Sequence, residues 1–187
     1  MSAAKPVEGA LLLCLDLQPV FLGAISDGAG VRRRCMFAIS AAHGLGMPIA
    51  FTEQAPAKLG TTEPALLALA GSPQAHAKDT FSALSPGSAV RRALTEKRSI
   101  EHLILCGVET TNCVFQTAVD ALQSGIAVTV LSDCVGARRE ADARTCLGAL
   151  ARNGAHVLPA ETVFYSILGG SSHGFFRAFT ELVKKHA

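Results

Sequence analysis

Residues 107–122 read GVETTNCVFQTAVDAL, and they place a single thiol, Cys113, where an apolar run gives way to small polar residues and then to a helical pattern. Thr110, Thr111 and Asn112 are helix-capping side chains, so a helix is expected to start beside the sulfur, where unpaired N–H groups favour an anion. A helix start together with a cationic neighbour can lower a thiol pKa from about 8.5 into the range of roughly 3.5 to 7.5. Two carboxylates stand at comparable places: Asp16 closes the run LLLCLDL, and Glu53 closes MPIAFTE. A carboxylate within reach of a thiol can take its proton, and the chemistry that follows is nucleophilic catalysis. The same residues also have a plain structural reading, in which Cys113 is a buried sulfur and Asp16 caps a turn with its own side chain.

These residues need a scaffold that brings strand ends together. Apolar runs bounded by turn signals lie at 11–17, 47–53, 102–108, 127–133 and 155–161. They lack clean polar alternation, as expected of strands covered on both faces. Between them, helical spacing puts Val31, Cys35, Ala38, Ile39 and Ala42 on one stripe, Val114, Ala118, Val119 and Leu122 on a second, and Ala143, Leu147 and Leu150 on a third. Gly44, Gly125 and Gly154 stand where such helices would end. Strand and helix in alternation predict an α/β chain: a three-layer α/β/α sandwich around an open, mainly parallel sheet with right-handed crossovers. In such sheets ligands bind at the carboxyl ends of the strands, where Asp16, Glu53 and Cys113 fall. Residues 55–86 read as the least regular stretch, long enough to carry function as well as connection.

Composition narrows the partners. At 187 residues, 49% hydrophobic and 17% charged, the chain fits one domain over 1–187 better than two. The net charge of +2, nine Phe, one Tyr and no Trp offer neither a phosphate-tracking surface nor a stacking platform, so nucleic acid is not an expected partner. The leading MSAAKPVEGA does not read as a signal peptide, and the apolar run after it meets Asp16 too soon to span a membrane. Six cysteines without CxxC or zinc-type spacing read as reduced thiols of a cytoplasmic protein, five of them as small core hydrophobes. High apolar content with few charges points to a homo-oligomer.

The segments LCLDLQPVF, HAKDTFSAL and GVETTNCVFQTAVDAL, in that order, resemble the isochorismatase-like cysteine hydrolases, and FTEQAPAKLGTTEPAL with SSHGFFRAFTELVK is similar to the small isochorismatase-domain proteins of unassigned substrate. The resemblance runs from Leu11 to about residue 160. It implies a Rossmann-like fold and a triad in which Asp16 takes the thiol proton, Cys113 attacks a carbonyl carbon, and Lys78 holds Asp16 and stabilises developing charge. It also implies a cis peptide bond at Val108–Glu109, with the N–H groups of Glu109 and Cys113 aimed at the oxyanion. Phe21, Gln54, Phe81 and Thr110 are the candidates for contacting a small-molecule substrate.

One departure from the family matters. Its nicotinamidases bind a metal through an Asp-x-His pair, and the matching stretch here is Thr52, Glu53, Gln54. No metal and no cofactor are therefore expected, and nicotinamide is a poor guess for the substrate. True isochorismatases lack the nucleophilic cysteine, so Cys113 favours hydrolysis of a small amide, ureide or carbamoyl compound. Two readings compete: a catalytically silent scaffold, and a redox-responsive protein in which Cys134 resolves an oxidised Cys113.

Overall fold

The run ALLLCL at Ala10–Leu15 forms the central strand β1 because all six of its side chains can be buried, with alternate residues committed to opposite faces. Leu12 and Cys14 enter one core and Leu11, Leu13 and Leu15 the other. The computed structural model describes residues 8–95 and 99–186. Residues 1–7, on which the expectation about a signal peptide falls, lie outside them.

After β1 come α1 (Pro19–Leu22), α2 (Gly28–Gly44), β2 (Ile49–Gln54), α3 (Pro56–Leu59), α4 (Pro64–Leu69), β3 (His76–Lys78) and α5 (Ala89–Thr95). The second half holds β4 (His102–Val108), a π turn at Thr110–Val114, α6 (Phe115–Gln123), β5 (Ala127–Gly136), α7 (Glu140–Arg152), β6 (His156–Leu158), α8 (Ala160–Leu168) and α9 (Phe176–His186). The strands form one parallel sheet in the order β3-β2-β1-β4-β5-β6. One face is covered by α2, α4, α8 and α9, with Phe37, Phe164 and Phe179 fully buried at its centre. The other is covered by α5, α6 and α7. The expected α/β/α sandwich is thus observed, and the winding reverses between β1 and β4. A crevice forms at such a reversal, because the connections leaving the two strands run to opposite sides.

Three expectations change. The 55–86 stretch is not structureless: it carries α3, α4 and the edge strand β3, which ends at Lys78. Gly44 is the last residue of α2 and does not terminate it in a left-handed turn; Gly46, with φ of 68°, does so two residues later. The strand expected at 155–161 is only His156–Leu158, because Pro159 opens α8.

One glycine brings the two central strands together. Gly107 has φ of 112°, and a Cβ there would lie 2.0 Å from the carbonyl oxygen of Leu15. Its lack of a side chain lets the end of β4 pass against the end of β1, in register with Leu15 and one residue short of Asp16.

Candidate active site

Asp16 is the first residue beyond β1. Its φ of 51° lies in the left-handed region, which short polar residues such as Asp tolerate and which is often found at functional sites. That conformation is held from both sides: the Asp16 N–H donates to the Thr52 carbonyl (3.1 Å), and the Asp16 carbonyl accepts from the Gln18 N–H (2.7 Å). The side chain is held too. The Thr52 hydroxyl donates to Oδ1 at 2.8 Å, and the Lys78 ammonium donates to Oδ2 at 2.7 Å. Asp16 is 1% exposed and Lys78 5%, so this ion pair is dry.

Lys78 reaches the pair because β3 aligns with β2, setting Lys78 opposite Gln54. Its Nζ also meets Gln54 Oε1 (2.7 Å), the Phe81 carbonyl (3.1 Å), the Thr80 carbonyl (3.3 Å) and Cys113 Sγ (3.5 Å). A buried ammonium with this many oxygen acceptors is satisfied as a cation. Gln54 is fixed in turn. Its Nε2 donates to the Asp79 carbonyl, its backbone N–H donates to Gln18 Oε1, and Gln18 Nε2 donates to the carbonyls of Gln54 and Gly60. Gln18, fully buried, thereby ties the loop after β2 to the end of β1.

Cys113 sits in the π turn joining β4 to α6, where Val114 N–H reaches back to the Glu109 carbonyl at 3.2 Å. Single π turns of this kind recur at functional sites. The Val108–Glu109 peptide bond is cis. The expected caps are not used: Thr110 and Asn112 lie inside the turn, and Glu109 stands at the cap position with its carboxylate turned to Arg138 at 3.2 Å. The wide turn begins earlier than the capping residues suggest.

The thiol itself departs from expectation. It is pushed up to about 12, chiefly by burial and next by the negative charge of Asp16, with Lys78 pulling the other way. Cys113 is 7% exposed. Loss of hydration outweighs the helix start, so the resting sulfur is a protonated thiol.

Asp16, Cys113, Val108, Glu109, Phe21, Gln54 and Phe81 all line one cavity of about 240 Å³, joined by Asn112 and Arg138. Phe81, 55% exposed, stands at its rim. Thr110 does not line it; the side chain is fully buried and its hydroxyl has no hydrogen-bond partner among the described residues. Glu53 is absent from the cavity as well, and its carboxylate accepts from the Thr62 N–H at 2.7 Å. With Thr52 on Asp16 and Gln54 on Lys78, the whole Thr52–Gln54 stretch is engaged within the protein. Among the described residues no group of three or more His, Cys, Asp or Glu is arranged to hold a metal ion.

Sequence reasoning missed Thr52, Gln18, Asn112 and Arg138. Asn112 was legible as the neighbour of Cys113. Arg138 was not, because β5 runs past Asp133 to Gly136 through an irregularity in its pairing with β4, which sets where the following residues emerge. All six cysteines are free. Cys14, Cys35, Cys106 and Cys134 are fully buried, whereas Cys146 on α7 is only half-buried and is not the core residue expected. Cys134 lies in the core, its carbonyl accepting from the Cys35 thiol at 3.2 Å, and offers no accessible resolving sulfur.

The isochorismatase domain family model matches residues 10–162 of this chain. The isochorismatase domain-containing protein 2 of Bos taurus is 31% identical over 191 residues, covering 99% of this chain and 91% of its own. Among solved structures, the MAR1 ribonuclease of Caenorhabditis elegans aligns with a TM-score of 0.86 at 29% identity, over 98% of this chain and 93% of that one. The YcaC gene product of Escherichia coli, titled an octameric hydrolase of unknown specificity, aligns with a TM-score of 0.86 at 19% identity, over 100% and 91%; at that identity the likeness concerns the fold.

Proposed function

The chain belongs to the isochorismatase family, and on that premise we propose that it is a cysteine hydrolase of a small amide, ureide or carbamoyl compound. The observation that carries the reading is the meeting of three groups at one dry spot: Lys78 Nζ lies 2.7 Å from Asp16 Oδ2 and 3.5 Å from Cys113 Sγ, beside a cavity that admits a small molecule. A base, a nucleophile and a fixed cation are the parts that acyl transfer requires.

The cycle runs as follows. Asp16 takes the proton of the Cys113 thiol while the sulfur attacks the carbonyl carbon. The N–H groups of Glu109 and Cys113 receive the developing oxyanion, and Lys78 stays charged throughout, balancing the thiolate and the carboxylate in turn. Asp16 then returns its proton to the departing nitrogen, the C–N bond breaks, and an acyl-thioester remains. Water, deprotonated by Asp16, attacks the thioester and releases the acid and the thiol. Phe21, Val108 and Phe81 supply apolar walls, and the side-chain amide of Asn112, which makes no hydrogen bond among the described residues, is left to face the substrate.

The test is site-resolved. Alkylation of each cysteine by iodoacetamide is followed by peptide mass across pH 5 to 10 in the parent and in Asp16→Asn. A Cys113 rate that is flat around neutrality and loses its flatness in the variant supports the reading. A Cys113 that merely tracks the other buried cysteines instead favours a catalytically silent scaffold.

A second reading comes from the name of the Caenorhabditis elegans relative, a ribonuclease. A net charge of +2 and a cavity of only about 240 Å³ argue against RNA as substrate. RNA cleavage by the parent that is lost in Cys113→Ser would reverse that judgement. The proposal includes a cytoplasmic setting, which the free thiols favour, and assembly into a homo-oligomer. Val20 on α1 and Phe81 at the rim of the cavity, 49% and 55% exposed, are large apolar side chains left open. Light scattering of the purified chain checks the assembly.

A further inference from the structure

We infer that Thr52 is a positioning residue for the base: its hydroxyl sets the rotation of the Asp16 carboxylate, leaving Oδ2 as the oxygen that takes the thiol proton. The inference rests on the triad proposed above and assigns a role to a residue outside it.

Thr52 lies on β2 directly after Ala50 and Phe51, all three buried, in register with Leu15 of β1. At a fully buried strand position an aliphatic β-branched residue of the same shape would serve packing alone, without burying a hydroxyl that needs a partner. Here the hydroxyl has one hydrogen bond, to Asp16 Oδ1 at 2.8 Å. The Thr52 carbonyl separately accepts from the Asp16 N–H. The backbone contact places Asp16, and the hydroxyl contact orients its carboxylate.

That division decides which oxygen does the chemistry. Oδ1 is occupied by a neutral donor from β2. Oδ2 faces Lys78 Nζ, the same atom that touches Cys113 Sγ. The charged or titratable groups around Asp16 are Lys78 from β3, Cys113 from the π turn, and, across the cavity, Glu109 paired with Arg138. Of these only Lys78 and Cys113 contribute at hydrogen-bonding range. The thiol proton therefore moves to Oδ2 with its electron pair left on sulfur, and the Thr52 hydrogen bond to Oδ1 persists in both protonation states. A hydrogen bond to the ionised carboxylate favours that form.

The experiment compares Thr52→Val, which keeps the backbone contact and the side-chain shape, with Thr52→Ser, which keeps the hydroxyl. Cys113 alkylation by iodoacetamide is mapped by peptide mass from pH 4 to 9, alongside urea unfolding of each variant. Thr52→Val should move the acid edge of the Cys113 profile upward by about one to two pH units, the worth of one hydrogen bond to a charged group. Thr52→Ser should restore the parent edge. A valine edge that coincides with the parent, or a serine edge displaced as far as the valine edge, overturns the assignment; Thr52→Ala gives the same comparison if valine does not fold. If Asp16→Asn itself leaves the parent profile unchanged, the triad is wrong and this role falls with it. If Asp16→Asn changes the profile and Thr52→Val does not, only the role of Thr52 fails.

Discussion

Replacing Lys78 by Met removes the cation that, among the described residues, touches both Asp16 and Cys113, while keeping most of the side chain's bulk. At 3.5 Å from Sγ, a unit charge stabilises a thiolate by about 5 kcal/mol at the effective dielectric of about 20 that suits protein sites. That corresponds to roughly three and a half pH units, or a Cys113 thiolate on the order of several thousand-fold scarcer at pH 7.5. The thiol already sits near 12 with Lys78 present, so its loss carries Cys113 out of reach of ordinary alkylation. The second consequence is thermodynamic. Asp16, 1% exposed, is left without its 2.7 Å partner, and breaking a buried pair from one side costs about 3 to 5 kcal/mol. For a chain of this length that lowers the melting temperature by roughly 6 to 20 °C. The sign with pH follows: a buried carboxyl without its cation takes up a proton more readily than an exposed one, so the deficit is fullest at neutral pH and shrinks in acid. The assay is iodoacetamide labelling of Cys113 at pH 7.5, normalised to half-buried Cys146, with urea unfolding at pH 5 and pH 8. A Lys78→Met protein that is destabilised as stated but labels Cys113 within threefold of the parent would refute the electrostatic argument. A protein with unchanged stability would refute the claim that the pair is dry.

Asp16→Asn should make Cys113 alkylation climb tenfold per pH unit between pH 6 and 9, where the parent is flat, because the proton can no longer pass to a neighbouring carboxylate; rate against pH is the readout. The amide hydrolysis proposed above should be lost in the same variant, since the group proposed to activate water is gone. Gly107→Ala forces a Cβ to within 2.0 Å of the Leu15 carbonyl, so urea unfolding should show a loss of about 3 kcal/mol or more, together with weaker Cys113 labelling. Phe37→Ala opens the aromatic cluster with Phe164 and Phe179 and should cost about 3 to 5 kcal/mol by urea unfolding, with the pH profile of Cys113 unchanged while the protein stays folded.

The architecture was legible because burial on both faces leaves a plain signature. Continuous apolar runs such as ALLLCL and HLILCGV can be satisfied only inside a parallel sheet, and the stripes Val31–Cys35–Ala38 and Ala143–Leu150 can be buried only against it. Asp16 at the end of one such run and Cys113 in the turn after another became candidates by the same logic, and their roles came from the family resemblance. Lys78 did not. It ends a three-residue edge strand inside a stretch that reads as loop, and only pairing with β2 brings it opposite Gln54 and onto the site.

The sequence by itself thus determined the layers, the strand ends at which chemistry could occur, and the residue types available there, because these depend on local pattern and on burying apolar surface. The tertiary structure decided what those residues are. Burial, a distance-dependent effect absent from any sequence window, keeps Cys113 a protonated thiol, contrary to what a helix start alone implies. The shifted register between β5 and β4 set where Arg138 reaches the cavity, the π turn moved Thr110 out of it, and strand register put a hydroxyl from Thr52 on the carboxylate of Asp16. The strand pairings join residues far apart in the chain, and spatial proximity of that kind is what folding adds.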